Sequence, residues 1–294
     1  MPISKKPRKK KKPTKASKSG NIVPFSPLPD PRGMEGFMAN LFGAETNTDP
    51  INAAQNIMYD AWDASDPKER LALARKALQI SPHCADAYVL LAEETSRTRE
   101  EALAYYQQAV DAAVEALGPS AFEEYTGRFW GFLETRPYMR ARAGLAEALW
   151  ATGEKDAAIQ HFKEILELNP GDNQGIRYIL AAKLLDIGRM ADLKMLLEVY
   201  KAEFLADVQY TRALVAYVEN ESDAVDIAQL AWKANQHVPG MLSGRTPMIG
   251  LTNYITMGGQ DEASSYIEAN GKAWSRTPGA IKWLEDATKG LPTK

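Results

Sequence analysis

A group of arginines in the middle of the chain offers the clearest binding chemistry in the sequence. Arg140, Glu147 and Trp150 are spaced so that they fall on one side of a helix. Gln174 and Arg177 open the next helical segment and are expected to lie beside them. A guanidinium binds a carboxylate through two parallel hydrogen bonds, and a groove with arginine, glutamate and tryptophan suits an extended peptide. These five residues are therefore predicted to form a partner-binding groove.

The same arginines have a purely structural interpretation, which the sequence leaves open. Arg140 and Arg177 could pair with nearby acids and fasten one helical segment to the next. The acids nearest to them in sequence are Glu134, Glu147 and Asp172. Asp172 is also suited to cap the helix that enters at Ile176, because its carboxylate can accept from the first free amides of that helix.

Catalytic and metal-binding constellations are missing from the sequence. Cys84 is the single cysteine and directly follows His83, but neighbouring side chains diverge at a helix start and cannot form a nucleophile–base pair. The other histidines, His161 and His237, lie far away in sequence, and no glycine-rich phosphate loop with a following Lys-Ser or Lys-Thr occurs. We therefore expect no enzymatic activity, no bound cofactor and no metal site.

The helices that must carry the arginine group are clearest between residues 138 and 170. Ala141, Leu145 and Leu149 recur at intervals of four, which is the apolar stripe of an amphipathic helix. Gly153 suits the left-handed conformation that ends a helix, and a second apolar stripe follows it at residues 157–166. The pattern predicts two helices joined by a tight turn.

This two-helix pattern repeats along the chain. Candidate turns between paired helices lie near Asp66, Arg99, Gly153, Gly188, Asn220 and Gly258. Four of the five spacings are close to the tetratricopeptide period of about 34 residues, and the other is longer by about twenty. An insertion at about 112–137, predicted to be an extra helix, accounts for the longer spacing. We predict an all-α protein in which residues 51–294 form a tetratricopeptide-like solenoid of helical hairpins, closed by a cap helix at about 278–289.

The first fifty residues differ in composition from the rest of the chain. They hold eight of the 17 prolines, and residues 1–29 carry nine basic residues and no acid, which leaves 26 basic against 38 acidic residues in the remainder. A segment of this composition cannot build a core. We predict residues 1–50 to be a disordered Lys/Pro-rich tail and linker, although apolar stretches at 22–28 and 34–42 could dock on the body. The second stretch could form a short helix.

The basic residues of the tail have two interpretations. They could keep the acidic body soluble as a solvated arm, or they could bind a polyanion weakly. The candidate polyanion-binding residues are Lys5, Lys6, Arg8, Lys9, Lys10, Lys11, Lys12, Lys15 and Lys18. No aromatic residue interrupts this run, so any binding to nucleic acid is expected to depend on charge rather than on base stacking.

The composition as a whole is that of an ordinary globular protein. The 294 residues are 45% hydrophobic and 25% charged, with a formal net charge of −3. No apolar stretch approaches the ~18 residues that a membrane span requires, and the basic tail lacks the apolar region of a signal peptide. We expect a cytoplasmic protein without membrane residence.

Several longer strings resemble a known protein family. The strings are FWGFLETRPYMRARAGLAEALW, LNPGDNQGIRYIL, ARKALQISPHCADAYVLLAEE, NQHVPGMLSG and WSRTPGAIKWL. Together they resemble the bacterial branch of the tetratricopeptide-like proteins grouped with the suppressor-of-tumorigenicity-seven family, across residues 51–284. The resemblance implies a helical-repeat fold and an interaction role. Eukaryotic members of that family carry membrane spans, and this property is not carried over to the present chain.

Two functions are consistent with these features. The preferred one is a non-catalytic scaffold that binds an unidentified peptide or protein partner in the predicted groove. The alternative is a nucleic-acid-associated protein whose basic tail binds polyanions without sequence specificity.

Overall fold

The computed structural model describes residues 31–41, 49–250 and 255–292, which form α-helices and short 3-10 turns without a β-strand. The all-α prediction is confirmed for this part of the chain. The helices are α1 (Pro31–Leu41), α2 (Pro50–Asp63), α3 (Pro67–Ile80), α4 (Ala85–Thr95), α5 (Arg99–Tyr125), α6 (Arg136–Thr152), α7 (Lys155–Leu168), α8 (Ile176–Asp186), α9 (Met190–Val199), α10 (Ala206–Val218), α11 (Ala224–Ala234), α12 (Val238–Leu242), α13 (Gln260–Arg276) and α14 (Ala280–Ala287). The predictions for residues 1–30, including the nine basic residues of the tail, lie outside the described residues.

Polar caps and prolines determine where several helices begin. The side chains of Asp49 and Asp66 accept hydrogen bonds of 3.0 Å from the amides of Ile51 and Lys68. Each aspartate is followed by a proline at the first helical position, where no amide hydrogen is needed. Gly153 ends α6 with a φ of 97°, the left-handed conformation that the sequence predicts there.

Successive helices pack against one another in chain order. α2 packs on α3, α4 on α5, α6 on α7 and α10 on α11, and each of these pairs also contacts a helix that follows it. Most buried apolar side chains form one cluster that extends from α4 to α14, and a smaller cluster joins α1, α2, α3 and α4. The apolar stripe of each helix is therefore buried by its neighbours in the chain.

All six predicted turns lie between consecutive helices that pack on each other. Gly258 lies between α12 and α13, although α12 covers only five residues and the described residues between it and Gly258 are not helical. α14 lies within the segment predicted as the cap.

The segment predicted as an inserted helix, at about 112–137, does not form a separate helix over its whole length. Its first part belongs to α5. Gly118 interrupts α5 with a φ of 67°, and Pro119 begins the second segment. Two 3-10 turns at residues 129–131 and 133–135 then lead into α6. The rings of Phe122 and Phe129 lie 5.0 and 5.7 Å from the ring of Tyr138, which fixes the insertion to α6.

Residues 31–41 correct the prediction that the whole of residues 1–50 is disordered. They form α1, which packs on α2 and buries Glu35, Gly36 and Ala39. The short helix considered for residues 34–42 corresponds to it. Tertiary contacts with α2, α4 and α6 outweigh the local proline content here, and such contacts cannot be read from composition.

None of the described helices is both long enough and apolar enough to cross a bilayer.

Candidate functional site

α1 lies on a surface that three other helices form together. It packs on α2, its Arg32 side chain reaches α4, and its Glu35 side chain reaches α6. We call this surface the α1 seat and define it by five side chains, Tyr59, Trp62, Asp86, Arg136 and Arg140.

Arg140 is the centre of the α1 seat. Its Nε and Nη2 atoms donate to the two carboxylate oxygens of Asp86 at 3.0 and 2.6 Å, and its Nη1 atom donates to both oxygens of Glu35 at 2.9 Å. The side chain is only 9% exposed. Burial disfavours its charge, but the two carboxylates outweigh this effect and raise the pKa of Arg140 above its ordinary value. A permanently charged guanidinium thus joins α1, α4 and α6.

Trp62 extends the charged cluster toward the start of α1. The guanidinium carbons of Arg32 and Arg140 lie 4.8 and 5.2 Å from the centre of its ring system, within cation–π range. Arg32 also donates from Nη1 to both carboxylate oxygens of Glu93 at 3.0 Å. The buried indole Nε1 of Trp62 has no hydrogen-bond partner among the described residues.

Close backbone approach and a second arginine complete the contact with α1. A Cβ atom added to Gly36 would lie 2.7 Å from the Cβ atom of Tyr59, so any larger residue would push α1 away from α2. Arg136 donates from Nη1 to Glu35 at 3.2 Å and from Nε to the carbonyl oxygen of Trp130 at 3.0 Å. Burial, with the charges of Asp86 and Glu35, raises the pKa of the Tyr59 hydroxyl, which stays neutral.

A cavity of about 230 Å³ borders the second half of α1. Its walls come from α1, α2, the start of α4, α5 and the residues that lead into α6. The apolar residues among them are Ala39, Ile51, Ala85, Ala113, Ala116, Leu117, Leu133 and Pro137, and the polar ones include Asn52, Gln55 and Asn56. Among the described side chains of α1, the small one of Ala39 faces this space.

The middle of the predicted groove is half open to solvent. The Nζ atom of Lys183 on α8 lies 2.9 Å from Oε2 of Glu147 and 4.7 Å from the ring of Trp150. Lys155 approaches the same ring at 5.1 Å. The Glu147 side chain is 49% exposed and Trp150 is half-buried. The Lys183 side chain is only 13% exposed, so the accessible groups of this cluster are Glu147 and, in part, Trp150.

Arg177 belongs to a second ion-pair network at the start of α8. It donates from Nη1 to Asp172 at 2.9 Å and from Nε and Nη2 to Glu203 at 2.7 and 2.9 Å. Burial opposes its charge, but the hydrogen bonds to Glu203 and the neighbouring Tyr178 and Asp172 outweigh it and raise the pKa of Arg177. Asp172 also accepts from the amides of Ile176 and Arg177 at 2.7 and 2.8 Å, so it caps α8 as the sequence predicts.

The five predicted groove residues are divided among three environments. Arg140 is enclosed in the α1 seat, Glu147 and Trp150 surround Lys183, and Arg177 is held by acids of two loops. Gln174 is half-buried before α8, and its Oε1 atom has no hydrogen-bond partner in the described part of the chain.

Three ion-pair partners of these residues are not predicted from the sequence. Glu35 and Asp86 lie 105 and 54 positions from Arg140, and Lys183 lies 36 positions from Glu147. Nothing local distinguishes them from other charged residues on helices. Only the packing of one helix on the next brings them together.

Two further titratable groups, Cys84 and Asp207, have pKa values raised by burial. Cys84 is buried, and burial raises the pKa of its thiol to about 12, which keeps it protonated. Burial and the nearby charge of Glu262 raise the pKa of Asp207 to about 6. No group of three or more histidine, cysteine and acidic side chains within the described residues could hold a metal ion.

Comparison with known proteins relates the chain to one family. A model of the ST7 protein family matches residues 39–123. The matched segment includes Tyr59, Trp62 and Asp86 of the α1 seat, whereas Arg136 and Arg140 lie beyond it.

Curated ST7 relatives are similar over most of the chain. The ST7 homolog of Drosophila pseudoobscura is 28% identical over 261 residues, which are 80% of this chain and 48% of the relative. The suppressor of tumorigenicity 7 protein-like of Gallus gallus is 26% identical and that of Homo sapiens 25%, each over 83% of this chain and over 48% and 47% of the relative. The chain therefore spans about half the length of the curated relatives it matches.

Proposed function

We propose that this protein is a non-catalytic scaffold that binds a protein partner along the surface of α4, α6 and α8. The observation that carries the proposal is the half-open cluster of Glu147, Trp150 and Lys183 beside a surface that already holds a helix by ion pairs. Tryptophan is among the residues that contribute most to the binding energy of protein interfaces.

The scaffold is proposed to be a tetratricopeptide-like solenoid related to the bacterial branch of the ST7 family. Supporting this are the recurring two-helix units near 34 residues, the packing of helices in chain order and the similarity to ST7 relatives. A cytoplasmic location is part of the same proposal.

Capture experiments with the full chain test this role. Tagged parent protein is incubated with a cell extract treated with nuclease, and bound proteins are identified by mass spectrometry. Glu147→Lys reverses the exposed charge on α6, whereas the control Glu198→Lys reverses a 67% exposed glutamate on α9 that also pairs with a lysine. We expect a defined protein to be retained by the parent and the control and lost by Glu147→Lys. Retention by both variants, or no protein after nuclease, contradicts the proposal.

A second proposed function is the binding of polyanions through the tail. The observation that favours it is the run of nine basic residues without an acid in residues 1–29. We expect weak binding to heparin and to RNA that is lost at ~0.5 M salt, because each contact releases counterions. Deletion of residues 1–20 should abolish it without changing the thermal melt. Binding that survives the deletion or the salt contradicts this function.

A further inference from the structure

The α1 seat holds its helix by a specific set of side chains. Glu35 supplies a carboxylate to Arg136 and Arg140, and Gly36 gives the close approach to Tyr59. These residues define what the seat recognises, namely a helix with an acid followed at once by a residue without a bulky side chain. The charges are complementary, since the Glu35 carboxylate lies between two largely buried arginines, one of which also binds Asp86.

The described side chains of α1 leave space in the seat. The cavity of about 230 Å³ lies beside Ala39, one helical turn after Glu35. A void of ~150 Å³ already accommodates a benzene ring in a protein core, so this space can take a large apolar side chain. The Nε1 atom of Trp62 also lacks an acceptor among the described residues. A helix with a larger residue at the position of Ala39 would bury more apolar surface than α1 does.

The outer side of α1 shows that the helix is attached by one face only. Met34 and Phe37 are 63% and 69% exposed, although both are apolar. Asp86 belongs to α4 and accepts two hydrogen bonds from Arg140, so this ion pair is made without any residue of α1.

Given the partner-binding role proposed above, we infer that the α1 seat is a binding site for an amphipathic helix of a partner protein, and that α1 is its intramolecular competitor. The partner helix carries an acid at the position of Glu35, a small residue next to it, and a bulky apolar residue at the position of Ala39. The acid is bound by Arg136 and Arg140, and the apolar side chain fills the cavity.

Synthetic helices and full-length variants test this assignment. The peptides carry residues 31–41 with a fluorescent label and a hydrocarbon link between positions 34 and 37, which face solvent, so that all are helical from the start. One has Ala39→Leu, one has Ala39→Leu with Glu35→Gln, and one keeps the parent residues. The chain is used with Glu35→Arg, which repels its own α1 from the two arginines, or with the control Met34→Arg, which changes only the exposed side.

Fluorescence anisotropy gives the affinity of each pair. We expect the Ala39→Leu peptide to bind the Glu35→Arg chain at least about tenfold more tightly than the Met34→Arg chain, where α1 competes at a high effective concentration. Glu35→Gln in the peptide should weaken binding roughly tenfold or more, through loss of the carboxylate. Restoring alanine at position 39 should weaken it roughly tenfold, since the cavity is left empty.

Other results overturn the assignment. Equal affinity for the three peptides removes the roles of the acid and the cavity, and equal binding to both chains places the peptide outside the α1 seat. If the parent peptide binds as tightly as Ala39→Leu, the occupant is α1 of a second copy and the partner described here is wrong. Partner capture by the Glu147→Lys and Glu198→Lys chains is measured independently. If none of the peptides binds, the α1 seat is not a site for a partner helix, but the proposed scaffold role still stands.

A measurement within the intact chain supplies a second test. Amide hydrogen exchange of residues 31–41 should slow in Ala39→Leu, because the longer side chain fills the cavity and holds α1 down. It should accelerate in Glu35→Gln and stay unchanged in Met34→Leu. Exchange that is the same in all four proteins shows that neither the acid nor the cavity controls the seat.

Discussion

Glu35 and Arg140 form a bidentate contact in which both carboxylate oxygens lie 2.9 Å from one guanidinium nitrogen, although 105 residues separate them in the chain. The contact joins the first described helix to the centre of the helical array. It also places Arg140, which the sequence predicts to face an open groove, within a closed ion-pair cluster. The accessible part of the predicted groove lies further along α6, at Glu147 and Trp150.

Removal of Arg140 is expected to be strongly destabilising. Arg140→Leu leaves the carboxylate of Asp86 buried without its arginine and leaves Glu35 with Arg136 alone, and loss of one member of a buried ion pair costs about 3–5 kcal/mol. The free energy of unfolding in urea measures the effect. As a control, Arg276→Leu removes an exposed arginine paired with Asp186 and should leave the stability close to that of the parent. Similar losses in both variants would contradict the buried cluster.

The raised pKa of Asp207 predicts a pH-dependent effect of its replacement. Because the folded state holds this proton more tightly than the unfolded state, ionisation lowers the stability of the parent as the pH rises from about 4 to 6, and the loss persists above pH 6. Asp207→Asn lacks this loss, so its stability relative to the parent should increase by about 2 kcal/mol between pH 4 and pH 7. Urea unfolding of both proteins across this range provides the measurement. A difference that does not vary with pH would show that Asp207 has an ordinary pKa.

Two adjacent alanines on α7 give a matched test of the helix packing. Ala158 is completely buried, whereas Ala157 is exposed. Ala158→Arg places a long charged side chain in a helix–helix contact and should cost more than about 3 kcal/mol or prevent folding. Ala157→Arg should melt within a few degrees of the parent, as followed by far-UV circular dichroism. If the two variants melt alike, the packing of α7 is wrong.

Arg177→Glu distinguishes the two interpretations of the second arginine. The new carboxylate would face Asp172 and Glu203, so the structural interpretation predicts a loss of roughly 2–4 kcal/mol and a lower melting temperature. Differential scanning calorimetry measures the loss, and partner capture is assayed in parallel. Weakened partner binding with an unchanged melt would instead assign Arg177 to the groove.

The helices and several of their ends could be predicted from the sequence because the residues that determine them lie close together in the chain. The stripe of Ala141, Leu145 and Leu149 identifies α6, Gly153 marks its end, and Asp172 caps α8 as expected. These features depend on residues within one or two turns of each other, and helical periodicity records them directly.

The α1 seat could not be predicted because it depends on contacts between residues that are far apart in the sequence. The proline content of the first fifty residues masks α1, whose stability comes from Glu35 and Ala39 packing on distant helices. The pairing of Arg140 with Asp86 requires α4 to lie against α6, which periodicity does not specify.

Photochemical cross-linking tests the scaffold role most directly. A benzophenone amino acid replaces Glu147 on α6 or, as a control, Glu198 on α9 in the full-length protein, and both positions are exposed. After irradiation in a nuclease-treated cell extract, the account predicts one dominant protein adduct at position 147 and none of that mass at position 198. The same adducts at both positions, or no protein adduct at position 147, would contradict a partner-binding surface on α6.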